Sequence, residues 1–248
     1  MNITNNTVFI PGATSGIGLA LAARLQAKGN TVIIGGRRTA LLDRLATEYG
    51  FGTVQIDTAD PDRIASASVE VVDRYPDLNM VIAMAGIMEP EDWHRREGFL
   101  DIAERTVTTN LLGPIRLFAG LIDHLRRRPA ATIVTVSSGL AFVPLAQTPT
   151  YNATKAAIHM LSEGIRLQLA DTNIEVIEIV PPAVRTTLMN LQESEDAMPL
   201  DDFADETIRL LEAQENPGEI LVDNVKFLRH AAERGDYDQV VRVLNGRH

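Results

Sequence analysis

Tyr151 and Lys155 stand four apart in Tyr151-Asn152-Ala153-Thr154-Lys155, and thirteen residues upstream Ser138 closes the run Ile133-Val134-Thr135-Val136-Ser137-Ser138. If the segment from Tyr151 to Ala170 is a helix, residues i and i+4 share a face and the ammonium lies beside the phenol. A free tyrosine ionises near pH ~10, too high for a base at neutrality. A lysine cation held close favours the phenolate and draws that value toward the operating range, where a proton can pass either way. Tyr151 is thereby a candidate acid/base. Ser138, at the carboxyl end of an apolar strand, offers a hydroxyl that can hold a substrate oxygen against it. Taken alone, Tyr and Lys four apart occur on many solvated helix faces.

Elements that would position these groups recur along the chain. Short β-branched runs lie at Thr7 to Ile10, Thr31 to Ile34, Thr53 to Ile56, Met80 to Ala83, Thr132 to Val136, Glu175 to Val180 and Glu219 to Val222. Amphipathic stretches of helical length fall between them, notably Ile17 to Lys28, Thr39 to Tyr49, Asp62 to Tyr75, Leu100 to Arg127 and Tyr151 to Ala170. This alternation predicts an α/β fold: one doubly wound, Rossmann-type domain over residues 1–248, with a seven-stranded parallel sheet and helices on both faces. The stretch from Lys226 to Leu244 reads as two short helices broken at Gly235 with Asp236 as N-cap, inside a C-terminal helical extension at about 223–248.

Directly after the first strand comes Gly12-Ala13-Thr14-Ser15-Gly16-Ile17-Gly18, leading into a helix. Backbone N–H groups at a positive helix end would there face a pyrophosphate, and glycine lets the backbone come close. The spacing is G-x-x-x-G-x-G, with Leu21 at the last position of the G-x-G-x-x-G pattern. The second strand ends in Gly35-Gly36-Arg37-Arg38. No carboxylate waits for a ribose hydroxyl, and a guanidinium fork matches a 2'-phosphate, so NADP(H) is the expected cofactor. Solvated cap residues of the next helix are the competing reading of Arg37 and Arg38.

Composition narrows the partners. The 248 residues are 45% hydrophobic and 23% charged, as expected of a globular protein. Lys and Arg number 23 against 33 Asp and Glu, and the net charge of -10 repels phosphate backbones and anionic membranes. The Arg126-Arg127-Arg128 run sits at a predicted helix end, where cations offset the dipole. There is no cysteine, and the five histidines form no ligand spacing, so no metal is expected. With no signal-like N-terminus and no long apolar run, the expectation is a cytoplasmic protein without nucleic-acid or membrane partners.

The glycine loop, Asn110 inside a long helix, Ser138, and Tyr151 with Lys155 agree in order and spacing with the short-chain dehydrogenase/reductase family, which the chain resembles from the first strand to about Val222. Within it the chain looks most like a bacterial subgroup labelled as oxidoreductases associated with D-alanine esterification of teichoic acids. The resemblance implies hydride transfer between NADP(H) and a carbonyl or secondary alcohol. Tyr151 would move the proton, and Lys155 would lower its pKa and hold the nicotinamide ribose. Ser138 would bind the substrate oxygen, and Asn110 would hold a water in the proton relay. Asp57 matches an adenine-binding aspartate, Ala85 and Gly86 the cofactor floor, and Pro181 and Thr186 the nicotinamide side. Structural alternatives stay open: Asp57 as a helix cap, Asn110 bonding its own helix, Ser138 as a strand-end cap.

The chain departs from the family at Met84-Ala85-Gly86, usually Asn-Ala-Gly, and at Pro181-Pro182, usually Pro-Gly. These departures keep a second hypothesis in play, a dinucleotide-binding sensor or scaffold with lapsed catalysis. Nucleotide-sugar epimerisation is disfavoured by the glycine spacing and the absence of a larger substrate domain. Ile87 and Met88, Leu140 to Val143 and Thr187 to Leu200 are expected to form an apolar pocket under an acidic rim of Glu193, Glu195 and Asp196. The family also implies a homodimer or homotetramer built on the helices of Asn110 and Tyr151.

Overall fold

Why the strands read as continuous apolar runs is plain in the computed structural model, which describes residues 3–95, 97–213 and 218–246. Both faces of the sheet are covered. On β1 (Thr7–Pro11) Val8 and Ile10 point into one core while Phe9 points into the other, and on β2 (Thr31–Gly36) Val32 and Ile34 are likewise opposed to Ile33. The remaining strands are β3 (Gly52–Gln55), β4 (Leu78–Ile82), β5 (Ala131–Val136), β6 (Ile174–Ile179) and β7 (Glu219–Ile220). All are parallel, in the order β3-β2-β1-β4-β5-β6-β7. Chain direction across the sheet reverses between β1 and β4, so a crevice opens at their carboxyl ends, where doubly wound sheets bind ligands.

Helices α1 (Gly16–Ala27), α2 (Thr39–Tyr49) and α3 (Pro61–Arg74) fall where the apolar periodicity puts them. The stretch expected as one helix from Leu100 to Arg127 is instead α4 (Phe99–Val107), a π-helical turn at Thr108–Leu112, and α5 (Gly113–Arg126). The cause lies in the sequence. Pro114 has no N–H to give to the Asn110 carbonyl, so the α-helical ladder fails at that rung, and Gly113 N–H bonds Thr108 O in the wider turn. Asn110 sits inside this turn.

α6 (Pro149–Gln168) starts with proline in its first turn and carries Tyr151 and Lys155. α7 (Leu200–Ala213), absent from the helices read off the sequence, packs against α1. Phe203, Ala204, Thr207, Ile208 and Leu211 form its buried stripe, and Arg24 of α1 reaches Asp205 at 2.6 Å and Asp201 at 3.0 Å. The C-terminal segment holds three short helices in place of the expected two: α8 (Asp223–Arg229), α9 (Ala231–Arg234) and α10 (Tyr237–Leu244). Gly235 does make the expected left-handed break, at φ 78°. Asp236 stands at the N-cap position of α10 as expected, but its side chain makes no cap bond; its Oδ2 accepts from Arg234 Nε at 3.1 Å. Among the described residues no helix is long and apolar enough to cross a membrane.

Phe203 is fully buried at the α1–α7 contact. Phe203→Ala is expected to cost about 3–5 kcal/mol through lost apolar burial and the cavity left behind. Urea unfolding followed by circular dichroism measures it, and a midpoint equal to that of the natural protein contradicts the packing described.

Candidate active site

The carboxyl ends of the strands open into one cleft of about 1080 Å³, in whose lining the glycine loop and the Tyr151–Lys155 pair meet. Tyr151 is 8% exposed and Lys155 6%, both on the face that α6 turns toward the end of β5. Ser138 stands just past β5 in extended backbone, where its Oγ accepts from Leu140 N–H at 3.1 Å and hydrogen-bonds the Tyr151 phenol. Lys155 Nζ donates to the Val136 carbonyl at 2.8 Å and lies 5.5 Å from the centroid of the Tyr151 ring.

The electrostatics differ from the expectation that lysine would lower the tyrosine. Burial pushes the Tyr151 phenol up to about 12, against the smaller downward pull of its hydrogen bond with Ser138. Burial also brings the Lys155 ammonium down to about 8, opposed by the charge of Glu178. With its cation turned toward a carbonyl, Lys155 does not offset the desolvation of the phenol. Tyr151 is therefore protonated at neutral pH, the state a proton donor needs.

Asn110 is 1% exposed and is not part of the cleft lining. Its side-chain amide pairs reciprocally with the Ile87 backbone, donating to Ile87 O and accepting from Ile87 N–H, each at 2.8 Å. That pair ties the π-helical turn to the loop after β4. A Cβ on Gly86 would lie 3.4 Å from Asn110 Oδ1 and 3.9 Å from Lys155 Nζ, so the three converge.

The glycine loop is a cradle only glycine can form. Gly12 has φ +91°, and a Cβ there would sit 2.6 Å from the Ala85 backbone. Behind Gly18 the Met84 side chain fills the space, its Cγ 2.9 Å from where a Cβ would stand, so this departure from the family pattern supplies apolar packing under the loop. Ser15 at the N-cap of α1 makes no side-chain cap bond, and the first turn carries no acidic residue. The helix end is thus open to an anion. Thr14, Gly16, Ile17, Ala85 and Pro181 also line the cleft, and Thr186 Cγ2 lies 3.4 Å from a Cβ built on Gly16.

Arg37 and Arg38 are exposed at the edge of the same cleft, and neither guanidinium has an ion-pair partner among the described residues. Arg38 occupies the N-cap position of α2 without capping it through its side chain. Asp57 is not the cap of α3. That role belongs to Asp60, whose Oδ1 accepts from Asp62 N–H at 2.9 Å and Arg63 N–H at 3.1 Å, while Asp57 Oδ1 accepts from Ala59 N–H at 3.0 Å beside the cleft. These residues together fit a dinucleotide: an open helix end for the pyrophosphate and unpaired guanidinium forks at the adenosine end.

The substrate side is only partly as expected. Ile87, Met88, Leu140, Leu188 and Leu191 line the cleft, but Val143 is buried behind it against Leu228 and Val240. Glu193, Glu195 and Asp196 lie off the cleft. The charged rim is formed by Glu89, Glu104 and Arg105, with Arg105 donating to Glu89 at 2.9 Å. Leu228 of α8 and Leu244 of α10 complete the wall, and Asn245 fastens it by accepting from Ala146 N–H at 2.7 Å and donating to Pro144 O at 3.1 Å. Glu91 also escaped sequence reasoning. Its carboxylate accepts from Thr150 N–H at 3.1 Å and Thr150 Oγ at 2.9 Å, anchoring the start of α6. Nothing local in the sequence marks it.

Comparison with known proteins agrees with this geometry. The short chain dehydrogenase family model matches residues 6–197. The chain is 38% identical over 249 residues to the uncharacterized oxidoreductase DltE of Bacillus subtilis, covering 99% of this chain and 98% of that protein. A short-chain dehydrogenase from Burkholderia cenocepacia, solved in complex with NADP, superposes with TM-score 0.83 at 21% identity, over 97% of this chain and 99% of that one. One from Sphingobium yanoikuyae, solved with NADPH, superposes with TM-score 0.77 at 25% identity, over 95% of this chain and 94% of that one. With the seven-stranded parallel sheet, the family model spanning most of the chain and a full-length relative at this identity, the chain belongs to the short-chain dehydrogenase/reductase family of oxidoreductases.

Proposed function

We propose that this protein is an NADP(H)-dependent reductase of a small carbonyl compound, with Tyr151 as the proton donor. The observation that carries the reading is the buried Tyr151 phenol beside Ser138, with Lys155 one turn along α6, in the same cleft as a helix end open to phosphate. NADPH supplies the hydride when bound. The chain's residues do the rest. Ser138 orients the substrate oxygen toward the phenol and supports the phenolate left behind, Tyr151 gives its proton to that oxygen as negative charge develops, and Lys155 holds ribose hydroxyls. The Asn110 amide is committed to Ile87, so any water that Asn110 holds is bound through its backbone carbonyl, which Pro114 leaves without an α-helical donor. The assembled trio of Ser138, Tyr151 and Lys155 speaks against lapsed catalysis.

Three expected outcomes follow from these roles. Tyr151→Phe keeps the ring and removes the acid, so steady-state turnover of an aldehyde and ketone panel falls by about 10² to 10⁴ while NADPH still quenches protein fluorescence. Retained turnover removes Tyr151 from the mechanism. Arg37 should favour NADPH over NADH by about ten- to a hundredfold in affinity, less at high salt. A carboxylate placed at Gly36 to reverse the preference would have to push the Thr14 side chain aside, because a Cβ there would meet Thr14 Cγ2 at 2.6 Å. Titration of Arg37→Ala should instead show the two affinities converging, and equal affinities in the natural protein would withdraw the NADP assignment. Leu100, Ile115, Met160 and Leu167 stand exposed on α4, α5 and α6, which supports pairing of those helices in a homo-oligomer. Light scattering should report a dimer or tetramer, with Leu167→Glu and Met160→Glu together shifting it toward monomer.

A further inference from the structure

Behind the catalytic face lies a buried polar array that none of these roles uses. Glu178, near the end of β6, is fully buried. An unpaired carboxylate at that depth would take up a proton, but Ser137 and, in the tautomer with its proton on Nδ1, His159 give each of its oxygens a donor. Ser137 Oγ donates to Oε1, and His159 Nδ1 stands 2.9 Å from Oε2. A carboxylate accepts only, so one donor on each oxygen suits the anion.

The array is built from the elements that carry the catalytic residues. Tyr151, Lys155 and His159 follow one another at intervals of four on α6, so the helix that presents the phenol and the ammonium also presents the brace for Glu178. Ser137 follows Val136, whose carbonyl receives the Lys155 ammonium, and Ser137 N–H bonds Ile179 O at 3.0 Å beside Glu178. His159 of α6 faces Glu178 directly; Glu163 of α6 and Glu219 of β7 each lie 3.8 Å from the His159 ring, and Arg229 of α8 pairs with Glu219. Lys155 lies over the Tyr151 ring of its own helix, and the Glu178 carboxylate on β6 acts on it by charge, without direct contact. The ligand atoms of His159, Glu178 and Glu219 lie within 4.8 Å of one another. Arg229, however, donates to Glu219 at 2.8 and 2.9 Å and neutralises it, so the chain's own cation closes the cluster and no metal is assigned.

The geometry points to Glu178, hydrogen-bonded by Ser137 and braced by His159, as a positioning residue that keeps the Lys155 ammonium seated on the end of β5. Its functional consequence rests on the role proposed above for Lys155, but its electrostatic content does not. Burial alone disfavours the ammonium, and Glu178 opposes that loss. Below about pH 8 Lys155 is a cation, and above it the cation is lost. Removing the Glu178 charge moves that boundary to lower pH.

The sequence holds three lysines, Lys28, Lys155 and Lys226, which makes a direct reading practical. Lysine-selective carbon-13 NMR of the protein without cofactor resolves three ε-methylene signals, assigned with Lys28→Arg and Lys226→Arg. Lys155 is expected to titrate near pH 8 in the natural protein. In Glu178→Gln its midpoint falls by about one pH unit or more, and Glu178→Asp restores most of the difference. The alkaline limb of NADPH binding should move in the same direction. Should Glu178→Gln fail to fold, Ser137→Ala removes one donor and produces a smaller downward shift. An unmoved Lys155 midpoint in a natively folded Glu178→Gln, or in Ser137→Ala where Glu178→Gln does not fold, overturns the proposal. Loss of the catalytic reading looks different: a natural protein that neither binds NADPH nor turns over carbonyls leaves this titration intact.

Discussion

Taking water away from an ammonium and a phenol four residues apart disfavours the charged form of each, and the site is arranged around that one constraint. Tyr151 is pushed up to about 12 and Lys155 down to about 8, in both cases first by burial. In the mechanism proposed above the phenol gains from this, since it holds its proton until a substrate oxygen arrives. The ammonium loses, so its surroundings compensate with the Val136 carbonyl and the Glu178 charge. The packing of α6 against the ends of β5 and β6 is what makes both possible.

How much of this was legible in the sequence varies by scale. Alternating apolar runs and amphipathic stretches placed all seven strands within a few residues, because both faces of the sheet are buried and the periodicity has no competing explanation. Tyr151 and Lys155 were legible because one helical turn fixes their spacing, and the glycine loop, Arg37, Arg38 and Ser138 because each comes just after an apolar strand. The sign of the tyrosine shift was not, since burial at a cleft floor depends on elements far away in the chain. Glu91 and Glu178 were invisible for the same reason: Glu91 reaches Thr150 across 59 residues and Glu178 reaches Ser137 across 41, and His159 comes to Glu178 from a helix packed on the sheet. α7 escaped because its acidic first turn, Asp201 and Asp202, follows an irregular loop that blurs its start.

The departure from the family pattern at Met84 is a local solution. Met84 trades an amide for apolar volume under Gly18, and the loop after β4 is fixed instead by the Asn110 pair with Ile87. The π-helical turn that carries Asn110 follows from Pro114 four residues on, so a single missing N–H both widens the helix and delivers the amide to its partner.

The fastening of Pro144 and Ala146 by Asn245 joins residues 99 to 101 apart in the chain. During synthesis at about 5–20 residues per second, the loop beyond β5 would emerge roughly five to twenty seconds before the residue that closes it. The dinucleotide half of the cleft has its strands and glycine loop in hand long before then. A nascent chain can therefore acquire cofactor affinity while its substrate wall is still missing, and bound cofactor would act as a template on which the late helices dock.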